Sequence, residues 1–150
     1  MPCLGAAVLA ACAGRSASLP AQRVGPSQKT IVIGSSRLDP QDLTIGTTDA
    51  IGFRSTAGDP LQVEFIEPDQ QTGRITCRVT DPTQLERGEK PWAEFRLNRD
   101  GHFTAYVPPG VFPSACSFTP GRYSYRVRVL DAQMRPLEEK LGQLGWITVK

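Results

Sequence analysis

From Arg122 to Val129 the chain alternates without a break. Tyr123, Tyr125, Val127 and Val129 fall on one side, and Arg122, Ser124, Arg126 and Arg128 on the other. A period of two sustained this far describes a strand with one buried and one wet face. Thr119-Pro120-Gly121, just before it, supplies the turn that starts the strand. A half-buried strand of this length needs a neighbour on each side and a second layer beneath it. The stretch Cys116–Leu130 is therefore expected to be a turn followed by the central strand of a β-sandwich.

The rest of the chain keeps the same rhythm of short strands and tight turns. With 150 residues, 39% hydrophobic and 21% charged, it is long enough for one domain with a real core. Fourteen glycines and thirteen prolines, with few helical patterns, favour an all-β fold. Strands are expected at Thr30–Gly34, Leu43–Ile45, Ile51–Phe53, Leu61–Phe65, Arg74–Val79 and Leu144–Val149. Turns are expected at Asp39–Asp42 and Thr47–Asp49. Phe95, Leu97, Phe103 and Ala105 flank Asn98-Arg99-Asp100-Gly101, a hairpin signal, and Val107-Pro108-Pro109-Gly110 breaks the chain. At most one or two short helices are expected. One would start at Asp81-Pro82-Thr83-Gln84, an N-cap followed by proline at the first helical position, and run through Arg87; the other would be a turn at Leu137–Leu141. Glu64, on the polar side of its strand, can pair with an arginine of the Arg122–Arg128 face if the two strands are neighbours.

The first residues point to export. Leu4–Ala11 is a short apolar run of small residues, too short to span a bilayer as a helix. Leu9-Ala10-Ala11-Cys12 resembles the lipobox of bacterial lipoproteins, although no Lys or Arg precedes it. The resemblance implies a signal peptide at residues 1–11, acylation of Cys12, a flexible tether at residues 12–29 and the folded domain at 30–150. Ala13 in place of aspartate after the cysteine leans toward the outer membrane, where the cell has one. An ordinary secretory signal is the competing reading; both place the chain in the periplasm or at the cell surface. Of the four cysteines, Cys3 leaves with the signal and Cys12 is lipidated, so Cys77 and Cys116 remain. In an oxidising compartment these two are expected to form a disulfide.

Three segments carry a resemblance to the cupredoxins, the small β-sandwiches of the blue-copper proteins. Thr56-Ala57-Gly58-Asp59-Pro60-Leu61-Gln62-Val63-Glu64-Phe65 is similar to the segment holding the first copper histidine. Pro120-Gly121-Arg122-Tyr123-Ser124-Tyr125 resembles the strand leading to the copper cysteine. Gly142-Gln143-Leu144-Gly145-Trp146-Ile147-Thr148-Val149 resembles the closing strand with its axial ligand. The segments occur in the family's order and imply a cupredoxin-like Greek-key β-sandwich. The family's copper site needs two imidazoles and a thiolate with a weak axial donor. Here Leu61 stands at the first histidine position, Val127 at or beside the cysteine position, and Gln143 at the axial position, while Leu130–Gln143 contains no histidine. The resemblance thus implies a copper site whose ligand positions are degenerate, and a protein without a cofactor.

Three functions follow as expectations. The first is a non-enzymatic binding or structural module of the cell envelope, held to the membrane through Cys12, with Arg122, Arg126 and Arg128 as a face for a protein partner. The second is a periplasmic copper-binding or electron-transfer protein with a non-standard site, in which His102, Met134, Gln143 and a reduced Cys77 or Cys116 would have to converge. The third is an immunoglobulin-like adhesion domain, because Pro120-Gly121-Arg122-Tyr123 also resembles the tyrosine corner of those sandwiches. Trp92 and Trp146 are further candidates for a partner surface. A net charge of +2, without a basic cluster interleaved with aromatics, speaks against nucleic acid. The chain shows no GxSxG, Walker or GxGxxG pattern, and nothing in it sets an oligomeric state.

Overall fold

The computed structural model describes residues 27–81, 94–137 and 143–150. They form an all-β sandwich of two sheets. The first sheet has the order β2-β1-β4-β9-β6, built from β1 (Gln28–Ile33), β2 (Leu38–Asp39), β4 (Ala50–Ser55), β6 (Ile75–Val79) and β9 (Gly110–Phe118). The second has the order β3-β11-β10-β5-β8-β7, from β3 (Asp42–Ile45), β5 (Leu61–Glu67), β7 (Arg96–Leu97), β8 (Phe103–Val107), β10 (Gly121–Val129) and β11 (Gln143–Val149). The chain crosses between sheets at most of its connections, so strands that are neighbours in space are distant in sequence. The alternation and turn pattern led one to expect an all-β sandwich, and the resemblance implied its Greek-key form.

The central position of β10 follows from its composition. It pairs antiparallel with β11 on one side and β5 on the other, and its inward residues Tyr123, Tyr125 and Val127 are buried. Tyr125 meets Phe53 edge-on at 5.6 Å between ring centroids and Phe65 at 6.0 Å. Phe65 continues to Phe118, and Phe95 to Phe112, so one connected aromatic cluster fills the space between the sheets. Tyr123 buries its ring but keeps its hydroxyl bonded: Oη donates to the Thr119 carbonyl at 2.8 Å and lies 2.9 Å from Thr119 Oγ1. Gln71 is buried yet satisfied, its Nε2 donating to the Phe65 carbonyl and its Oε1 accepting from Phe103 N–H.

The expected disulfide is present. Cys77 and Cys116 face one another across β6 and β9 with their Cα atoms 4.0 Å apart. The hairpin at Asn98–Gly101 is also as expected: Asn98 Oδ1 accepts from Asp100 N–H and His102 N–H, and Gly101 takes a φ of 79° that a side chain would resist.

Several boundaries differ from the sequence reading. β1 begins at Gln28, before Thr30, because it runs parallel to β4 and pairs from Gln28↔Ala50 onward. β9 was not foreseen as a strand: Pro113 sits inside it, and Phe112 through Cys116 are all buried, so it lacks the period of two. The outer side of β10 is not uniformly wet. Ser124 is buried, its hydroxyl donating to Glu67 Oε2 beside a register shift in the β5 pairing, and Arg126 and Arg128 are half-buried. No described residue is helical. The helix expected at Pro82–Arg87 lies outside the described residues, and so does all of Leu137–Leu141 except Leu137, whose N–H donates to the Val129 carbonyl.

The immunoglobulin-like alternative does not fit this topology. Those sandwiches have antiparallel sheets, with a disulfide between the sheets in antibody domains. Here β1 and β4, and β3 and β11, pair in parallel, and the disulfide joins neighbouring strands of one sheet. The tyrosine-corner bond of Tyr123 is present on a different architecture.

Candidate functional site

The outer face of the second sheet gathers its charges around one carboxylate. Strand β5 places Glu64 opposite Arg126 of β10 on one side and Thr104 of β8 on the other. The Glu64 side chain is only 9% exposed. Its Oε1 lies 3.2 Å from His102 Nδ1, and its Oε2 lies 3.4 Å from Arg128 Nη2 and 3.7 Å from Arg126 Nη2. Arg128 also donates from Nε and Nη2 to Gln62 Oε1, its cross-strand partner, at 3.1 and 2.7 Å. A nearly buried carboxylate is costly unless paired and hydrogen-bonded, and this arrangement supplies both. Two guanidinium groups and an imidazole thus share this one carboxylate. Arg126 Nε is buried with no hydrogen-bond partner.

The third arginine behaves differently. Arg122 is exposed, and its guanidinium carbon lies 5.9 Å from the centroid of the Trp146 ring, within the range of a cation–π contact. Leu144, exposed on the same strand as Trp146, stands opposite Arg126. A cleft of about 240 Å³ borders this face on the β8 side, lined by Gln62, Thr104 and Tyr106 with residues of the β7 edge.

The positions singled out by resemblance do come together. Val127 of β10 pairs directly with Gln143 of β11, and on the other side of β10 Val129, two residues on, pairs with Leu61 of β5. Leu61 and Val127 are buried in the core. Gln143 donates from Nε2 to the Gly34 carbonyl at 3.3 Å, while its Oε1 is buried without a partner. The groups needed for a non-standard metal site do not converge. Both thiols are consumed in the disulfide of the other sheet. His102 leads into β8, and β5 and β10 separate that strand from Gln143 on β11, a spacing of roughly 14 Å at the usual interstrand distance. Met134 lies in the Asp131–Arg135 turn, closed by Asp131 Oδ1 accepting from the N–H groups of Gln133 and Arg135. Among the described residues no three His, Cys, Asp or Glu side chains cluster as a metal site would require. Cys12 and Trp92 lie outside the described residues.

The contact missing from the sequence reading is His102 with Glu64. Alternation places Glu64 on the arginine side of the sheet, but the hairpin that brings His102 over it becomes visible only with the β5–β8 register.

No family model matches the chain, and no curated protein matches it. Among solved structures, it is similar to a purple cupredoxin from Nitrosopumilus maritimus, with a TM-score of 0.45 and 13% identity, covering 81% of this chain and 98% of that one. It is also similar to an oxidised amicyanin mutant, at 0.44 and 11%, covering 81% and 82% of the two chains. A mutant plastocyanin of fern aligns at 0.36 and 17%, covering 81% of this chain and all of that one.

Proposed function

We propose that this chain is an exported, lipid-anchored, cupredoxin-like domain without a copper site, serving as a non-enzymatic binding module of the cell envelope. The observation that carries the proposal is the filling of the ligand positions. Leu61 and Val127, on the adjacent strands β5 and β10, are both buried in the core at the positions where histidine and cysteine would be needed, and their packing removes the cost of leaving donors buried without metal. The Cys77–Cys116 disulfide supports an oxidising compartment. The binding surface on this reading is the outer face of the second sheet, where exposed Arg122 and Leu144 flank half-buried Trp146 as an amphipathic strip beside the Glu64 cluster. That chemistry suits a protein partner with an acidic, partly apolar surface.

The test is a copper titration and metal analysis of the full chain, exported with its disulfide formed. The expected result is no stoichiometric copper, no thiolate charge-transfer band and an unchanged fold. Near-stoichiometric copper would overturn the proposal. The anchor is tested separately: Cys12→Ser is expected to abolish palmitate labelling and release the protein from membranes.

A further inference from the structure

A second surface, on the opposite sheet, has the chemistry of a ligand site. A cleft of about 270 Å³ opens on the outer face of the first sheet, where β4, β9 and β6 lie side by side. Its floor is Ala50 and Ala115, two methyl groups flat on the sheet. Its walls are hydroxyls: Thr47 and Thr48 from the β3–β4 turn, Thr76 from β6 and Ser117 from β9. Arg78 stands at its edge. No carboxylate lines it, and Arg78 forms no ion pair among the described residues. This differs from the other face, where Glu64 engages Arg126 and Arg128.

Two features hold the walls in place before anything binds. The Cys77–Cys116 cross-link joins the two strands behind the cleft: Cys77 lies between Thr76 and Arg78, and Cys116 between Ala115 and Ser117. The Thr47–Thr48 turn is pinned by Asp49, which accepts from Ser27 Oγ and from Gly46 N–H while Asp49 N–H donates to the Gly46 carbonyl. Those bonds, the Ser27 one foremost, hold the Asp49 carboxyl below its usual range, so it stays an acceptor for the turn. A site ordered in advance loses less freedom on binding.

From this geometry we infer that the cleft binds an acidic sugar unit. Hydroxyls both donate and accept, which suits a polyhydroxylated ring. A methyl floor suits the ring's C–H face, and one uncompensated guanidinium suits one carboxylate. The volume lies just below the range of pockets for drug-sized ligands, which matches a single ring. The inference does not use the arginine–tryptophan strip of the second sheet and stands or falls apart from it.

The test is ¹⁵N NMR titration of the full, disulfide-bonded chain with sodium glucuronate, glucose and inorganic phosphate as separate probes. Glucuronate is expected to shift the amides of Thr48, Thr76, Arg78 and Ser117 saturably, with a millimolar dissociation constant, while glucose and phosphate leave them nearly unmoved. Arg78→Ala, at an exposed position that the core does not use, is expected to weaken glucuronate binding roughly tenfold without altering the remaining spectrum. Thr76→Val is expected to weaken it less and retain the strand. Absence of saturable shifts, shifts indifferent to Arg78→Ala, or an equal response to glucose or phosphate would each overturn the assignment.

Discussion

Gly145→Ala offers a sharp test of the core. Gly145 of β11 lies directly opposite Tyr125, and the tyrosine ring packs onto the bare backbone there. A Cβ at residue 145 would overlap Cζ and Oη of Tyr125 and lie 2.6 Å from Cε1, against an ordinary carbon–carbon contact of about 3.5–4.0 Å. Relief requires a shift of about 1 Å. The ring has little room for it: Tyr125 is fully buried, with Phe53 and Phe65 against it. Overpacking of this kind costs about 1–3 kcal/mol, and full confinement of the ring puts the cost near the top of that range. Alanine also restricts the unfolded chain, which offsets about 0.4–1 kcal/mol. The net expectation is a loss of about 2 kcal/mol, a fall in Tm of roughly 4–8 °C for a chain of this size. Thermal and urea unfolding followed by circular dichroism measure it. Gly58→Ala is the control, since nothing lies within 4 Å of a Cβ there; it is expected to be neutral or mildly stabilising. Adding Tyr125→Leu to Gly145→Ala must recover part of the loss, a coupling of about 1 kcal/mol in the double-mutant cycle. A Gly145→Ala protein as stable as the parent, or a cycle without coupling, would refute the packing argument.

Three other outcomes follow from the same structure. Tyr125 Oη is buried without a partner, so Tyr125→Phe is expected to raise stability by about 1 kcal/mol in urea unfolding at neutral pH. Burial also pushes the Tyr125 phenol well above its ordinary value near 10. Above that pH the unfolded chain loses this proton and the folded one keeps it, so stability falls as pH rises, and urea midpoints between pH 10 and 11.5 should decline less steeply in the phenylalanine variant. Joint replacement Cys77→Ala/Cys116→Ala opens a loop with a sequence separation of 39 and is expected to cost about 4 kcal/mol by loop entropy, measured as the fall in urea midpoint; an unchanged midpoint would remove the cross-link from the account of stability. Glu64→Ala leaves Arg126, Arg128 and His102 without their shared carboxylate. The arginines are partly exposed, which tempers the loss to about 1–3 kcal/mol, and a neutral result by thermal melting would show that solvent replaces the carboxylate.

How much of the fold was legible depended on which strands have two distinct faces. β5 and β10 each bury one row of side chains, and their alternation placed Val63, Phe65, Tyr123 and Tyr125 in the core correctly. β9 escaped because Phe112 through Cys116 are all buried and Pro113 interrupts the run, so no period distinguishes it from a loop. Its existence is fixed by long-range pairing: β4 on one side, β6 on the other, and a disulfide to β6. The parallel partnership of β1 with β4 is of the same kind, settled by register and invisible to any local pattern.

The charged faces show a stricter limit. Arg122, Arg126 and Arg128 look equivalent in the sequence, and alternation assigns them one shared side. Their environments diverge because the neighbouring strands differ: Arg126 and Arg128 meet Glu64 and Gln62 across β5, while Arg122 lies beyond the reach of that carboxylate and rests on Trp146 of β11. Arg78 carries the same charge on a strand with no acidic partner opposite it, since its register mate is Ala115. An arginine stripe therefore says little about binding until each guanidinium's cross-strand partner is known. The residues with charge to offer a ligand are those that the topology leaves opposite neighbours without a carboxylate, Thr148 for Arg122 and Ala115 for Arg78. By that criterion Arg122 and Arg78, on opposite sheets, are the cations to mutate first, and loss of one interaction on replacing either should leave the other intact.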